Sequence, residues 1–140
     1  MPVPTRLYAS RQRLFDGDCD FIVAQGASGE LGVLPGHAPL LTWLKPGEVM
    51  LRQGTEEHFY FLEGGYLEVL PNRVSILAEA ATLSSELDPA AAEEERQAAA
   101  EAISGPTGPE PEELAARRRR LDIATQRLQA AQRDQRRHRD

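Results

Sequence analysis

One cysteine, Cys19, and three histidines, His37, His58 and His138, are the only thiol and imidazoles in the 140 residues. Cys19 lies between Asp18 and Asp20, and flanking carboxylates raise a thiol's pKa, which makes it a poor nucleophile. His37, in Pro35-Gly36-His37-Ala38-Pro39, has no acid or nucleophile at a telling spacing, so general-base work there is not expected. A small hydrolase would rest on Cys19 and His37 alone and would need the fold to join them. One thiol and scattered imidazoles make neither a disulfide framework nor a zinc-type cluster, and no metal site is expected. The glycine-rich stretch from Gly26 to Gly32 is no phosphate loop. Phosphate loops need a following helix and a Gly-Lys-Ser/Thr, whereas the single lysine, Lys45, precedes Pro46.

Charge offers more. Arg117-Arg118-Arg119-Arg120, followed by Arg127, Arg133, Arg136, Arg137 and Arg139, could pair with acidic side chains of the same chain, dock on an acidic protein surface or bind nucleic acid. The net charge of -6 hides three segments. Residues 1–80 carry -4, residues 81–113 carry -8 and residues 114–140 carry +6. No aromatic residue lies near the arginines to stack on a base, which weakens the nucleic-acid reading.

The elements that must position these groups differ between the two ends of the chain. All eight aromatic residues lie before position 67. There Asp20–Gln25, Glu48–Gln53, His58–Leu62, Tyr66–Leu70 and Arg73–Leu77 read as strands. The last three, separated by Gly64-Gly65 and Pro71-Asn72, predict a three-stranded antiparallel meander. Strands at this spacing without helices predict an antiparallel β-sandwich over about residues 1–85. Asp88 followed by Pro89 predicts a capped helix over about 89–103, with Glu93-Glu94-Glu95 near its positive end. The breaker stretch Ser104-Gly105-Pro106-Thr107-Gly108-Pro109 ends it, and a second helix is expected over about 111–137. Leu114, Leu121 and Leu128 recur every seven residues, and Ala124 and Ala131 follow the second and third by three. Ala92 and Ala99 repeat at the same interval, so residues 86–140 predict an antiparallel two-helix hairpin with a narrow seam of methyl groups. Such a seam supplies only a few kcal/mol, so the hairpin is as consistent with a switch as with a fixed appendage. No apolar run reaches the roughly 18–20 residues of a membrane span and no signal-peptide pattern opens the chain, so a cytoplasmic protein without membrane insertion is expected.

The stretch Gly29-Glu30-Leu31-Gly32-Val33-Leu34-Pro35-Gly36-His37-Ala38-Pro39-Leu40-Leu41-Thr42, with Leu44-Lys45-Pro46-Gly47, closely resembles the signature loop of the F-type ATP synthase epsilon-subunit family. Gly64-Gly65-Tyr66-Leu67-Glu68-Val69, Pro71-Asn72 and Val74 resemble that family's later strands, and the sandwich-plus-hairpin plan covers essentially the whole chain. The resemblance implies a non-catalytic subunit of the proton-translocating rotor. Its sandwich would bind the gamma subunit and face the c-subunit ring through Glu30 and His37, on the cytoplasmic face of the bacterial inner membrane as a peripheral part of the complex. Its hairpin could extend toward the beta and alpha subunits of the catalytic head, where Arg117, Arg118, Arg119, Arg120 and Arg127 are candidates for an inhibitory contact with an acidic segment of beta. Members of the family that bind ATP on the hairpin carry Ile or Leu, Asp, two variable residues, Arg and Ala. Leu87-Asp88-Pro89-Ala90-Ala91-Ala92 departs from that motif by placing Ala91 at the arginine, so no cofactor is expected. Trp43 stands where the family usually has a small residue, either as an added gamma contact or as surface packing. The alternative reading, a nucleic-acid-binding module, rests on the arginine-rich helix.

Overall fold

The structure, a computed structural model, describes residues 1–104 and 110–138. The chain divides into two compact units, Met1–Leu83 and Ser84–Asp140.

The first unit consists of strands β1 (Val3–Ala9), β2 (Gln12–Cys19), β3 (Phe21–Gly26), β4 (Gly29–Val33), β5 (Leu40–Leu44), β6 (Gly47–Gln53), β7 (Glu56–Leu62), β8 (Gly65–Leu70), β9 (Arg73–Ala78) and β10 (Ala81–Leu83). Hydrogen bonding orders them β10-β7-β6-β3-β5-β8-β9-β1-β2, with β4 beside β3. β3 and β5 share only the pair Gly26 and Leu44. The ladder folds over at that point, giving one layer of β10-β7-β6-β3 and another of β5-β8-β9-β1-β2. Alternation then sorts the side chains. In β1, Val3, Thr5, Leu7 and Ala9 are buried while Pro4 and Arg6 are exposed, as a strand's period of two requires. Ile22, Leu51 and Leu62 from one layer meet Leu7, Leu67, Val69 and Ile76 from the other in a single core. Two polar bonds tie chain segments far apart in sequence: Tyr60 donates its hydroxyl to Leu14 O at 3.3 Å, and Gln53 Nε2 donates to Asp18 O at 3.2 Å.

Two expectations are corrected here. β7, β8 and β9 do not form a meander: β7 pairs with β6 and β10, while β8 pairs with β5 and β9. Gly64-Gly65 is therefore a crossing between layers rather than a hairpin turn. Both glycines have positive φ, 124° and 151°, and a Cβ on Gly65 would collide with the carbonyl of Leu77 on β9. The sandwich is also not wholly antiparallel, because β1 runs parallel to β9, pairing Thr5 with Val74 through Ala9 with Ala78. The long chain path between these strands allows the parallel arrangement, which no tight turn could close.

In the second unit a short 3-10 turn, Ser84–Glu86, precedes helix α1 (Pro89–Ile103) and helix α2 (Pro111–Arg137). Asp88 caps α1, its side chain accepting from Ala90 N at 3.0 Å, and Pro89 takes the first helical position, where no amide proton is needed. Glu93, Glu94 and Glu95 lie one turn too far along to meet the dipole. Glu93 instead grips Arg96, through Nε at 2.9 Å and Nη2 at 2.7 Å, and this guanidinium holds its carboxyl below the usual range. The residues buried deepest along the helices are Ala92 and Ala99 on α1 and Ala124, Ala130 and Ala131 on α2. Leu114, Leu121 and Leu128 are only half-buried beside them. The breaker residues 105–109 and Arg139 lie outside the described residues.

Candidate functional site

Outward-facing positions of the second layer line up across four strands. Trp43 on β5 pairs with Tyr66 on β8, Tyr66 with Leu77 on β9, and Leu77 with Tyr8 on β1. Trp43, Tyr66 and Leu77 are 60%, 39% and 50% exposed, and Leu41, two residues before Trp43 on the same face, is 69% exposed. The Trp43 and Tyr66 rings lie 4.0 Å apart between centroids and are tilted by 35°. A contiguous row of large apolar side chains left in water marks an interaction surface far better than singly scattered ones do.

Beside this band the same face turns polar. Arg6 on β1 lies opposite Ser75 on β9, which lies opposite Glu68 on β8. Arg6 also faces Asp16 on β2, its Nε 3.5 Å from Oδ1, while Arg13 holds the other oxygen of Asp16 at 3.2 Å.

The positions singled out in the sequence are scattered. Glu30 is exposed on β4 and accepts from Gln25 Nε2 at 3.0 Å. His37 lies in the turn after β4, where its backbone N–H donates to Leu34 O at 3.1 Å and its Nδ1 is 2.7 Å from Ala38 O. No hydrogen bond or ion pair joins Glu30 to His37. Cys19 is fully buried, and burial first, then Asp20 and Asp18, push its thiol up, while a bond with Thr5 acts the other way. A thiol with no access to solvent and a histidine engaged in its own loop do not make a hydrolase.

The helical unit uses some of its arginines internally. Arg127 on α2 donates from Nη1 to both carboxylate oxygens of Glu95 on α1, at 2.8 and 2.9 Å. Arg117 donates to Glu113 within α2 and, at 2.9 Å, to Ala102 O near the end of α1. These two ties also show the helices to be antiparallel, since the contact moves back along α1 as it moves forward along α2. Arg118, Arg119 and Arg120 are exposed. At the degenerate ATP motif, Leu87 is half-buried, Asp88 has a carboxylate oxygen committed to the cap, Ala91 presents a bare methyl to solvent and Ala92 is buried in the seam. Ala91, at the position expected to carry the arginine of an ATP-binding motif, supplies no guanidinium.

Among the described residues no three His, Cys, Asp or Glu side chains gather as a metal site, and no helix is long and apolar enough to cross a membrane. A family model described as the ATP synthase delta/epsilon chain beta-sandwich domain matches residues 5–84. The chain belongs to that family. It is 50% identical over 98 residues to the ATP synthase epsilon chain of Chromohalobacter salexigens, covering 69% of this chain and 70% of that one. It is 40% identical over 107 residues to the epsilon chain of Acidithiobacillus ferridurans, covering 76% of each. Among solved structures, a chain of the Euglena gracilis mitochondrial ATP synthase (OSCP/F1/c-ring) superposes with a TM-score of 0.82 at 22% identity, over 94% of this chain and 81% of that one. A chain from the Tetrahymena thermophila mitochondrial ATP synthase, central stalk and c-ring, gives 0.67 at 13% identity, over 94% and 97%. At those identities the structures establish the fold. As an epsilon chain of the ATP synthase the protein is a non-catalytic subunit, and the nucleic-acid reading of its arginine-rich helix finds no support.

The exposed band is what sequence reasoning missed, apart from Trp43. Its signal was present in part. The two-residue turn Pro71-Asn72 pairs Leu70 with Arg73, and that register places Tyr66 beside Leu77 on one face. The neighbouring strand that brings Trp43 to Tyr66 carries no such local mark.

Proposed function

We propose that the β unit docks this epsilon chain onto the gamma subunit of the central stalk through the Trp43-Tyr66-Leu77 band and presents Glu30 and His37 to the ring of c subunits, while the helical unit serves as a regulatory arm. The observation that carries the reading is the band, three large side chains exposed side by side on a rigid sheet. Fully burying a large apolar side chain is worth roughly 1.5–3 kcal/mol, and these three, already partly covered, would each gain about half of that. Together they supply the central apolar anchor that a stable interface requires. A docked sandwich would carry the torque of the ring into the stalk as a rigid body, and it sits in the assembly as a peripheral part on the cytoplasmic face of the inner membrane.

The arm reading follows from the seam. Alanine methyl groups hold α1 and α2 together weakly, so a modest differential affinity for an acidic surface on beta, with alpha alongside, would shift the hairpin. Of the five candidate arginines, Arg118 and Arg120 reach such a surface most directly, whereas Arg117 and Arg127 must first give up their bonds within the hairpin.

The test uses the full-length chain and a reconstituted head complex containing gamma. The chain is expected to bind, Trp43→Ser with Tyr66→Ser to weaken binding at least tenfold, and removal of residues 88–140 to preserve binding while relieving inhibition of ATP hydrolysis. Failure of the full-length chain to associate would overturn the reading.

A further inference from the structure

The apolar band ends in a cleft of about 460 Å³ lined by Arg6, Tyr8, Glu68, Arg73, Ser75 and Leu77 among others. Leu77 belongs to both band and cleft, so a segment lying along Trp43, Tyr66 and Leu77 is led directly into the polar space. Two guanidinium groups flank that space. The Arg73 side chain is exposed and, among the described residues, takes part in no hydrogen bond or ion pair. Arg6 is exposed, bonds with the Tyr8 side chain beside it and pairs with Asp16, which it shares with Arg13. Two arginines against the single carboxylate of Glu68 leave the lining with a net positive charge.

This local sign runs against the unit that carries it. Residues 1–80 hold 6 basic and 10 acidic side chains; Arg6, Arg13 and Arg73 project from neighbouring strands of this face together with Asp16, Asp18 and Glu68, and of these the cleft lining takes Arg6, Arg73 and Glu68. A basic spot on an acidic body selects a partner of the opposite charge at that spot and orients it, since like charge elsewhere on the body repels the same partner. The guanidinium fork matches a carboxylate in two-point geometry, which an ammonium would not.

We infer that the partner segment docked on the Trp43-Tyr66-Leu77 band inserts an acidic side chain into the cleft between Arg6 and Arg73, so that the band supplies the contact area and the cleft fixes the register. This rests on the docking reading above. Phe21, Val23 and Arg52 on the other layer offer no equivalent, because Arg52 is committed to Glu57 at 3.3 Å and to the face of the Phe21 ring.

The experiment measures the dissociation constant of the full-length chain from the gamma-containing head complex across a range of salt concentrations. For the wild type the affinity is expected to fall as salt rises. Arg6→Gln with Arg73→Gln should weaken binding about 10- to 100-fold at low salt and flatten the salt dependence, with Arg6→Lys and Arg73→Lys falling between. Arg52→Gln should bind as the wild type does, and melting curves of all variants establish that they fold. A double glutamine variant that binds with unchanged affinity and unchanged salt slope overturns the inference while leaving docking intact. Absence of wild-type binding overturns both. Weakening by Trp43→Ser together with indifference to Arg6→Gln and Arg73→Gln assigns the contact to the band alone.

Discussion

Arg127 of α2 reaches across to Glu95 of α1 and donates one Nη1 group to both carboxylate oxygens, at 2.8 and 2.9 Å. The guanidinium is 19% exposed and the carboxylate 42%, so the pair is shielded from water on one side only. Between helices whose common seam is alanine, this contact holds a larger share of the closed state than it would in a leucine-rich bundle. Replacing either partner leaves the other half-desolvated without compensation. Arg127→Gln and Glu95→Gln should each loosen the hairpin, with a coupling of about 1 kcal/mol in a double-mutant cycle once screening is allowed for. Amide exchange at Ala92, Ala99 and Ala124 reads the loosening directly. If the two substitutions add without coupling, the pair is a surface contact with no part in closing the hairpin.

Gly65 and Gly29 have similar backbone signs and different surroundings. Gly65 has φ 151° and would place a Cβ against the Leu77 carbonyl and 2.8 Å from Ala78 Cα, whereas Gly29, at φ 133°, has nothing within 4 Å. Gly29→Ala should therefore cost only its backbone strain, about 1–3 kcal/mol. Gly65→Ala should cost roughly 4 kcal/mol or more, because β8 and β9 would have to part at the point where the chain crosses between layers. Denaturant melts of the two variants decide the matter, and equal losses would refute the close-approach argument.

What the sequence disclosed, and what it hid, follows from the range of the forces involved. Asp88 and Pro89 act within a few residues, so the cap they announce is the cap that forms, and the seven-residue spacing of Ala92 and Ala99 gives the buried stripe directly. Tyr66–Leu70 and Arg73–Leu77 pair as their two-residue turn dictates. Gly64-Gly65 misleads because the same dipeptide permits a hairpin and a crossing, and only the tertiary approach of Leu77 distinguishes them. β1 and β2 are hard to see because Arg6, Arg11, Gln12, Arg13 and Asp16 break the apolar pattern, and three of them, Arg6, Arg13 and Asp16, form the polar end of the exposed face. The candidate site was legible as far as Trp43 alone, since the pairing of β5 with β8 depends on how the whole sheet folds.

Cys19 gives a direct probe of core integrity. It is fully buried at the end of β2, and burial together with Asp20 and Asp18 pushes its thiol up, so the reactive thiolate is disfavoured in the native state twice over. Alkylation by iodoacetamide near pH 8 should be at least about 100-fold slower for the folded chain than for the chain in denaturant, the residual rate reporting opening of the sandwich. Rapid native labelling would mean that the β2 end of the core is not closed.

The helix start predicts the response to nucleotide. Asp88 uses a carboxylate oxygen to accept from Ala90 N at 3.0 Å, and the first guanidinium on α1, Arg96, is already gripped by Glu93. Ala91 brings no charge to the place where the ATP-binding motif has its arginine. A triphosphate approaching this end would meet the carboxylates of Glu86 and Asp88, and loss of one charge-assisted contact alone is worth about 1.5–3 kcal/mol. Titration calorimetry of the full-length chain with ATP should show no saturable heat at millimolar concentrations, and ATP should leave the melting temperature of the hairpin unchanged. The informative comparison is Ala91→Arg, which restores the missing charge on an exposed position without disturbing the buried Ala92. A gain of saturable ATP binding in that variant locates the defect at one side chain. Tight binding by the wild type would show that a different set of residues holds the nucleotide and that the departure at Ala91 has no consequence.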